Sequence, residues 1–176
     1  MKELTYFPSE FGSDEYIKYV LDTYSDMLLK LCYTYTKSTA DAEDLVSDVL
    51  MSLIKREIPF ESAEHEKAWL LRLAINRSKN FVKSGWFRHR ISLDLDENRA
   101  QAEEIPANET VENPVLEAVL SLPEKYRTPI HMFYYGGYSL KEIGKILGKK
   151  EATVGTLIAR ARKLLKDVMF DDEAAE

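Results

Sequence analysis

Polar and cationic side chains recur at helical spacing between residues 68 and 83. Arg72, Asn76, Lys79 and Lys83 follow one another at steps of four, three and four residues, so an α-helix places them in one stripe. Cations bind phosphate groups and amides bind the edges of bases, so the stripe predicts contact with a nucleic-acid strand. The apolar positions of the same helix are expected to face a core: Leu70, Leu73, Ala74 and Phe81.

The segment SGWFRHR, which follows directly, mixes aromatic rings with cations. Such rings offer stacking surfaces to unpaired bases, worth about 1–3 kcal/mol per base. The alternative is that the rings cover the core while the cations are solvated. Taken with the preceding helix, the candidate strand-binding residues are Arg72, Asn76, Arg77, Lys79, Asn80, Lys83, Trp86, Arg88, His89 and Arg90.

Residues 138–165 predict two short amphipathic helices joined by a turn at Gly148. Apolar residues line one face of each helix, and the second helix has no acid after Glu151 up to Lys166. This pattern is typical of a helix-turn-helix, whose second helix enters the major groove of DNA. An ordinary helical hairpin with a solvated basic face is the alternative. The candidate groove-binding residues are Lys149, Lys150, Thr153, Thr156, Arg160, Arg162 and Lys163.

The net charge of −6 is distributed unevenly along the 176 residues. Residues 67–90 carry seven Lys and Arg and no acid, whereas residues 91–112 carry seven acids and one Arg. Residues 141–166 are basic again, with eight cations and two acids. Charges farther apart than the Debye length, about 8 Å at physiological salt, are largely screened from one another. The local sign of the surface charge, and not the net charge, therefore governs where a polyanion approaches. The chain is therefore expected to present two basic surfaces separated by a flexible acidic linker over 91–112.

Composition favours a folded, cytoplasmic protein that is not an enzyme. Hydrophobic residues make up 45% of the chain, and no apolar run approaches the ~20 residues of a membrane span. The first residues carry early acids and lack the apolar stretch of a secretory signal. The single cysteine, Cys32, lies in an apolar run and is expected to be buried. The three histidines are scattered and no Gly-rich phosphate loop occurs, so we expect no catalytic residue, metal or cofactor.

The periodicity predicts an all-α protein of two small helical domains, residues 10–90 and 113–170, joined by the linker. In the first domain we expect helices over 13–37, from Ser38-Thr39 to near Pro59, and from about Glu64 through Lys83, where Gly85 ends the last one.

In the second domain, the Leu122-Pro123 pair is expected to open a helix that Gly136-Gly137 breaks. Pro129 should distort that helix. The helix-turn-helix follows.

Three segments, in this order, resemble the extracytoplasmic-function (ECF) group of bacterial RNA polymerase sigma factors. DAEDLVSDVL is similar to the family's helix that docks on core RNA polymerase. WLLRLAINRSKNFVKS is similar to the helix that melts and reads the minus-ten promoter element. The stretch from LPEKYRTPIHMFYY to the basic helix resembles the domain that reads the minus-thirty-five element.

The resemblance implies partners and roles for individual residues. Core RNA polymerase, promoter DNA and an anti-sigma factor are the implied partners, and no membrane insertion is implied. The stripe and the SGWFRHR loop would serve the minus-ten element, and the second basic helix the minus-thirty-five element. The implied polymerase contacts are Asp41, Glu43, Asp44, Leu45 and Asp48.

The chain departs from the family pattern at several positions. Ile75 replaces the common arginine before Asn76, and Asn80 stands where aspartate is usual. In the recognition helix, Gly155 and Leu157 stand where cations are usual, and a helical glycine costs about 1 kcal/mol relative to alanine. A sigma-like protein that binds polymerase but reads no promoter therefore stays open. So does a stand-alone helix-turn-helix regulator that binds duplex DNA without polymerase.

Overall fold

Two helical units make up the protein, seen in a computed structural model that describes residues 10–84 and 114–173. The described residues form seven α-helices and no strand, which confirms the all-α prediction. The chain divides into Met1–Asp96 and Glu97–Glu176, each with its own core. No helix in these two ranges is both long enough and apolar enough to cross a membrane.

The first unit contains α1 (Asp14–Thr36), α2 (Thr39–Ile54) and α3 (Ala63–Lys83). Each helix begins after a serine whose hydroxyl accepts a hydrogen bond from a first-turn backbone N–H: Ser13, Ser38 and Ser62. Such caps contribute about 1 kcal/mol each, which explains why the helix starts could be predicted from the sequence.

The core of the first unit is built where the three helices pack together. Its largest fully buried side chains include Leu28 and Leu31 of α1, Val49 of α2, and Leu70 of α3. Cys32 is buried as predicted, and burial raises the pKa of its thiol to about 11. The one carboxylate among the fully buried side chains of the described residues belongs to Glu66, on the first turn of α3.

The second unit contains α4 (Pro114–Ser121), α5 (Glu124–Tyr134), α6 (Leu140–Leu147) and α7 (Glu151–Glu173). Ser139 and Glu142 form a reciprocal capping box at the start of α6. Gly148 ends that helix with φ 64°, a left-handed conformation that glycine adopts without a steric penalty. Buried residues from α4, α5, α7 and the α4–α5 turn form the core of the unit: Val119, Leu122, Ile130 and Ala161.

Several helix boundaries differ from the predictions. Helix α2 ends at Ile54 instead of near Pro59, and α3 begins at Ala63, one residue before the expected start, and ends at Lys83 as expected. Helix α4 was not expected, and it begins at Pro114, a residue type that is well tolerated in a first helical turn.

The helix that contains Pro129 is continuous. Helix α5 runs from Glu124 to Tyr134 on both sides of the proline, although the ring removes the usual hydrogen bond to the Lys125 carbonyl.

Candidate nucleic-acid interface

The predicted stripe on α3 lies on the solvent side of the helix. Arg72, Asn76 and Lys83 are exposed, and Lys79 is half-buried. The predicted core positions Leu70 and Ala74 are fully buried on the other side, and Leu73 and Phe81 are half-buried. Asn80 is exposed beside the stripe. Helix α3 therefore presents a continuous polar surface whose cations and amide can reach a nucleic-acid strand.

Arg77, also predicted to contact the minus-ten element, is turned toward α2. Its Nη1 atom lies 3.2 Å from Oδ2 of Asp48, and its Nη2 atom donates a hydrogen bond to Oγ of Ser52 at 2.5 Å. Its Nε atom is buried and has no hydrogen-bond partner among the described residues. The structure thus joins a residue predicted to bind DNA with one predicted to bind polymerase.

The aromatic and cationic residues of the segment SGWFRHR lie outside the described residues. Trp86, Arg88, His89 and Arg90 belong to this segment, and so does the whole acidic linker over 91–112. Their roles stay predictions.

The recognition helix α7 exposes a polar face opposite its buried one. Thr153, Thr156, Arg160 and Lys163 are exposed and follow one another at steps of three, four and three residues. The buried face carries Val154, Ile158 and Ala161. Lys149 and Lys150 are exposed in the turn just before the helix. The two threonines lie near the N-terminal end, the part of a recognition helix that contacts base edges.

Arg162 occupies a different side of α7 from these residues. Its guanidinium lies 5.8 Å from the ring centroid of Phe133 and 5.4 Å from that of Tyr134, both on α5. A cation–π contact at an exposed site is worth about 0.5–1 kcal/mol. Arg162 therefore joins α7 to α5, two residues beyond the exposed Arg160.

Gly155 does not interrupt the exposed face of α7. An added Cβ atom there would lie 3.6 Å from Cδ1 of Leu140, so this side of the helix faces α6. Leu157 is half-buried. Neither of the two unusual positions therefore lies on the exposed face, whereas Thr156 between them does.

Of the residues on α2 that were predicted to contact polymerase, some are exposed and others are buried in the core. Glu43, Asp44 and Asp48 are exposed, whereas Asp41 and Leu45 are only 6% and 5% exposed. The two buried side chains belong to the packing of the unit.

Two exposed apolar side chains were missed as surface residues. Met51 is 49% exposed and Ile54 is 48% exposed. They share a side of α2 with Asp44, since Met51 follows it by seven residues, or about two turns. The core positions Leu45, Val49 and Leu53 recur at four-residue steps, and Met51 is out of that register. That mismatch is the sequence signal that could have revealed Met51. Ile54 continues the four-residue steps of the buried residues Ala42 and Val46, so the pattern gave no such signal for it.

No cluster of histidine, cysteine or carboxylate side chains with the geometry of a metal site occurs among the described residues. The charged surfaces of α2, α3 and α7 are the candidate sites in this part of the chain.

Comparisons with known proteins match both units. The model of sigma-70 region 2 matches residues 20–88, and that of sigma-70 region 4 matches residues 112–165. The ECF RNA polymerase sigma factor SigW of Bacillus subtilis is 26% identical, covering 91% of this chain and 92% of that protein. SigM of the same organism is 30% identical, covering 86% of this chain and 90% of that protein.

Solved structures share the fold. The sigma factor RpoE of Bartonella quintana, crystallised with the anti-sigma factor NepR, has a TM-score of 0.66 and 24% identity, covering 86% of this chain and 95% of that one. CnrH, solved with the cytosolic domain of CnrY, has a TM-score of 0.62 and 18% identity, with 92% of each chain covered. The chain belongs to the ECF sigma factors of bacterial RNA polymerase, and it directs the polymerase in promoter recognition and transcription initiation.

Proposed function

We propose that the two units divide the work of promoter recognition, with residues 10–90 serving polymerase and the minus-ten element and residues 113–170 the minus-thirty-five element. Residues 91–112 would form an acidic linker between them. The observation that carries the proposal is the separation of charge on the first unit. Exposed acids lie on α2, and exposed cations and amides lie on α3. This role is that of a specificity subunit and needs no catalytic residue, metal or cofactor of its own.

For the minus-ten element, α3 supplies phosphate contacts through Arg72, Lys79 and Lys83 and base contacts through Asn76. The exposed amide of Asn80 extends this surface. The loop with Trp86, Arg88, His89 and Arg90 follows α3 directly and would capture unpaired bases by stacking. Binding of unpaired bases would favour DNA melting, since their capture offsets part of the unstacking cost.

For the minus-thirty-five element, α7 would enter the major groove with Thr153 and Thr156 toward the bases. Arg160, Lys163, Lys149 and Lys150 would neutralise phosphates at either side. The exposed positions of all six residues support this arrangement, and the departure at Gly155 faces α6 instead of the groove.

For core polymerase, the docking surface is the exposed side of α2. Glu43 and Asp44 supply charge, and Met51 and Ile54 supply apolar area in the last turns of the same helix. Interfaces combine a buried apolar centre with a polar rim, so the acidic and apolar parts together support docking better than the acids alone.

Neutralising the acids of this surface is expected to weaken polymerase binding. The Glu43→Gln, Asp44→Asn double variant should bind core polymerase about tenfold more weakly, because rim charges steer and orient an electrostatic encounter. Titration of fluorescently labelled protein with core polymerase at two salt concentrations measures the effect. Asp26→Asn, an exposed acid on α1, is the matched control and should bind like the original chain. Equal affinity of all three proteins for core polymerase would show that Glu43 and Asp44 do not contribute to docking.

Promoter opening tests the function as a whole. Purified protein and core polymerase are mixed with a pool of promoter DNA, and unpaired thymines are detected with permanganate. Opening should require both proteins. Lys83→Ala should weaken promoter binding on all sequences and reduce the slope of log affinity against log salt by about one, as for a lost phosphate contact. Asn76→Ala should instead relax preference at one base position, with a loss of about 1–3 kcal/mol.

The competing function has its own signature in the same experiment. Duplex binding by the chain alone, with no opening and no association with core polymerase, would favour the stand-alone regulator. Binding to polymerase without opening of any promoter would favour a sigma-like protein that binds polymerase but reads no promoter.

We further propose that the chain acts in the cytoplasm, where RNA polymerase is located, and that an anti-sigma protein controls it. RpoE and CnrH were both solved with a second protein bound, and RpoE with a named anti-sigma factor. A regulator of this kind should compete with core polymerase for the first unit. Competition is measured by displacement of the labelled chain from core polymerase.

A further inference from the structure

The side chain of Arg77 connects the two functional helices of the first unit. It leaves α3 toward α2, where Asp48 and Ser52 lie one helical turn apart. The hydroxyl of Ser52 also donates a hydrogen bond to the backbone carbonyl of Asp48 at 3.0 Å, which fixes it beside the carboxylate. The guanidinium is planar and directs its donors in fixed orientations, so two acceptors at this spacing hold its position and direction.

Arg77 is partly buried against α2. Its side chain is 34% exposed, whereas the carboxylate side chain of Asp48 is 65% exposed. Both terminal nitrogens are engaged by α2, and Nε is buried. Two of its five N–H donors are used by α2, one from each terminal nitrogen, so the guanidinium is held against α2 and not extended toward a nucleic-acid strand. The charge of Arg77 is thus directed at Asp48 within the unit.

We propose that Arg77 is a positioning residue, which sets the rotation of α3 against α2. It thereby orients the polar stripe of α3 toward the minus-ten element once α2 is docked on polymerase. The inference rests on the proposed roles of α2 and α3. It removes Arg77 from the direct DNA contacts predicted from the sequence. It also gives Asp48 a partner within the chain, in place of one on polymerase.

The test is a double-variant cycle on the rate of promoter opening with the full chain and saturating core polymerase. Arg77→Met keeps the length of the side chain without its charge, and Asp48→Asn keeps the shape of its partner. Each variant should slow opening about two- to fivefold, the range of a partly exposed ion pair. The double variant should be no slower than Arg77→Met alone, because both changes break one interaction. The salt slope of promoter binding should stay unchanged.

A matched control lies on α1. Lys30 and Asp26 form an ion pair at 2.9 Å within that helix, so it joins no two elements. Lys30→Met should leave the opening rate and the salt slope unchanged. If Arg77→Met prevents folding, Ser52→Ala removes only the second acceptor and should slow opening about twofold.

Three outcomes would overturn the proposal. The first is multiplicative effects of Arg77→Met and Asp48→Asn. The second is a salt slope reduced by about one in Arg77→Met, which indicates a phosphate contact. The third is an unchanged rate in Arg77→Met or, if that variant does not fold, in Ser52→Ala. Failure of the original chain to open any promoter with core polymerase would instead refute the proposed function, so the two failures are distinguishable.

Discussion

Replacing Glu66 by alanine is expected to lower the unfolding free energy of the first unit by about 3–5 kcal/mol. Glu66 is fully buried, and its two carboxylate oxygens accept hydrogen bonds from the hydroxyls of Tyr16 and Tyr24. Both tyrosines are themselves at most 4% exposed. Truncation leaves two buried hydroxyls without their acceptor, at about 1–3 kcal/mol each, and opens a cavity as well. Urea unfolding followed by the fluorescence of Trp69, which lies in α3, measures the loss.

A smaller change in the same cluster serves as the control. Tyr24→Phe removes one hydroxyl, whose hydrogen bond to Glu66 is 3.2 Å long, and should cost only about 1 kcal/mol. An unfolding free energy for Glu66→Ala within 1 kcal/mol of the original would mean that the cluster contributes little. Equal losses in Glu66→Ala and Tyr24→Phe would place the whole effect in one hydrogen bond.

The charge of Glu66 adds a dependence on pH whose sign is fixed by its burial. Burial raises the pKa of Glu66 above its ordinary value, while the hydrogen bonds from Tyr16 and Tyr24 act in the lowering direction. The folded protein therefore holds this proton more tightly than the unfolded chain does. The contribution to stability is greatest below the unfolded pKa of about 4.3 and is lost as pH rises through the folded pKa.

Glu66→Gln isolates this contribution, because the amide keeps the shape of the side chain and stays neutral. The difference in unfolding free energy between Glu66→Gln and the original chain should grow in favour of the variant as pH rises from about 4.3. A difference that does not change with pH would mean that the carboxyl has the same pKa in both states.

Local signals explain why most helices could be predicted from the sequence. Ser38 and Ser62 begin helices whose apolar residues recur at helical spacing, and both signals act within a few residues. The same holds for the exposed stripe on α3, since the buried positions Leu70 and Ala74 define the opposite side. These features depend on neighbours along the chain and not on the rest of the fold.

Two of the features that were missed, the partners of Glu66 and of Arg77, depend on residues far apart in the sequence. Glu66, in the first turn of α3, reads as an acid that favours a helix N-terminus, but its partners lie 50 and 42 residues earlier. Arg77 reads as one more cation of a basic helix, yet its hydroxyl acceptor lies 25 residues earlier. Periodicity gives the side of a helix that is buried, but not which polar groups meet there.

Gly144→Ala is expected to destabilise the second unit by about 2–3 kcal/mol, because the glycine is buried where α6 meets the turn before α7. An added Cβ atom would lie 2.7 Å from the backbone oxygen of Lys149. The carbonyl of Gly144 accepts a hydrogen bond from the N–H of Lys149 at 2.8 Å, so this turn is held against the helix. The backbone of Lys149 cannot rotate away from the new methyl group as a side chain could, so the overpacking destabilises the fold.

Hydrogen exchange at the amides of Val154 and Ile158 in α7 measures the stability of the second unit separately from the first. Gly155→Ala is the matched control, a glycine in the same helix-turn-helix where a methyl group fits without a clash. Its added Cβ atom would lie 3.6 Å from Leu140, an ordinary contact, so the substitution should stabilise the unit by about 1 kcal/mol.

The two glycine variants should also differ in their binding to the minus-thirty-five element. The turn from Gly148 to Lys150 fixes how α7 leaves α6, so Gly144→Ala should weaken binding to the minus-thirty-five element along with stability. Gly155→Ala should keep that binding, because position 155 faces α6 while Thr153 and Thr156 keep their exposed side. Loss of upstream binding in a stabilised Gly155→Ala chain would mean that DNA approaches position 155 directly. In that case the side of α7 that contacts the major groove would include position 155.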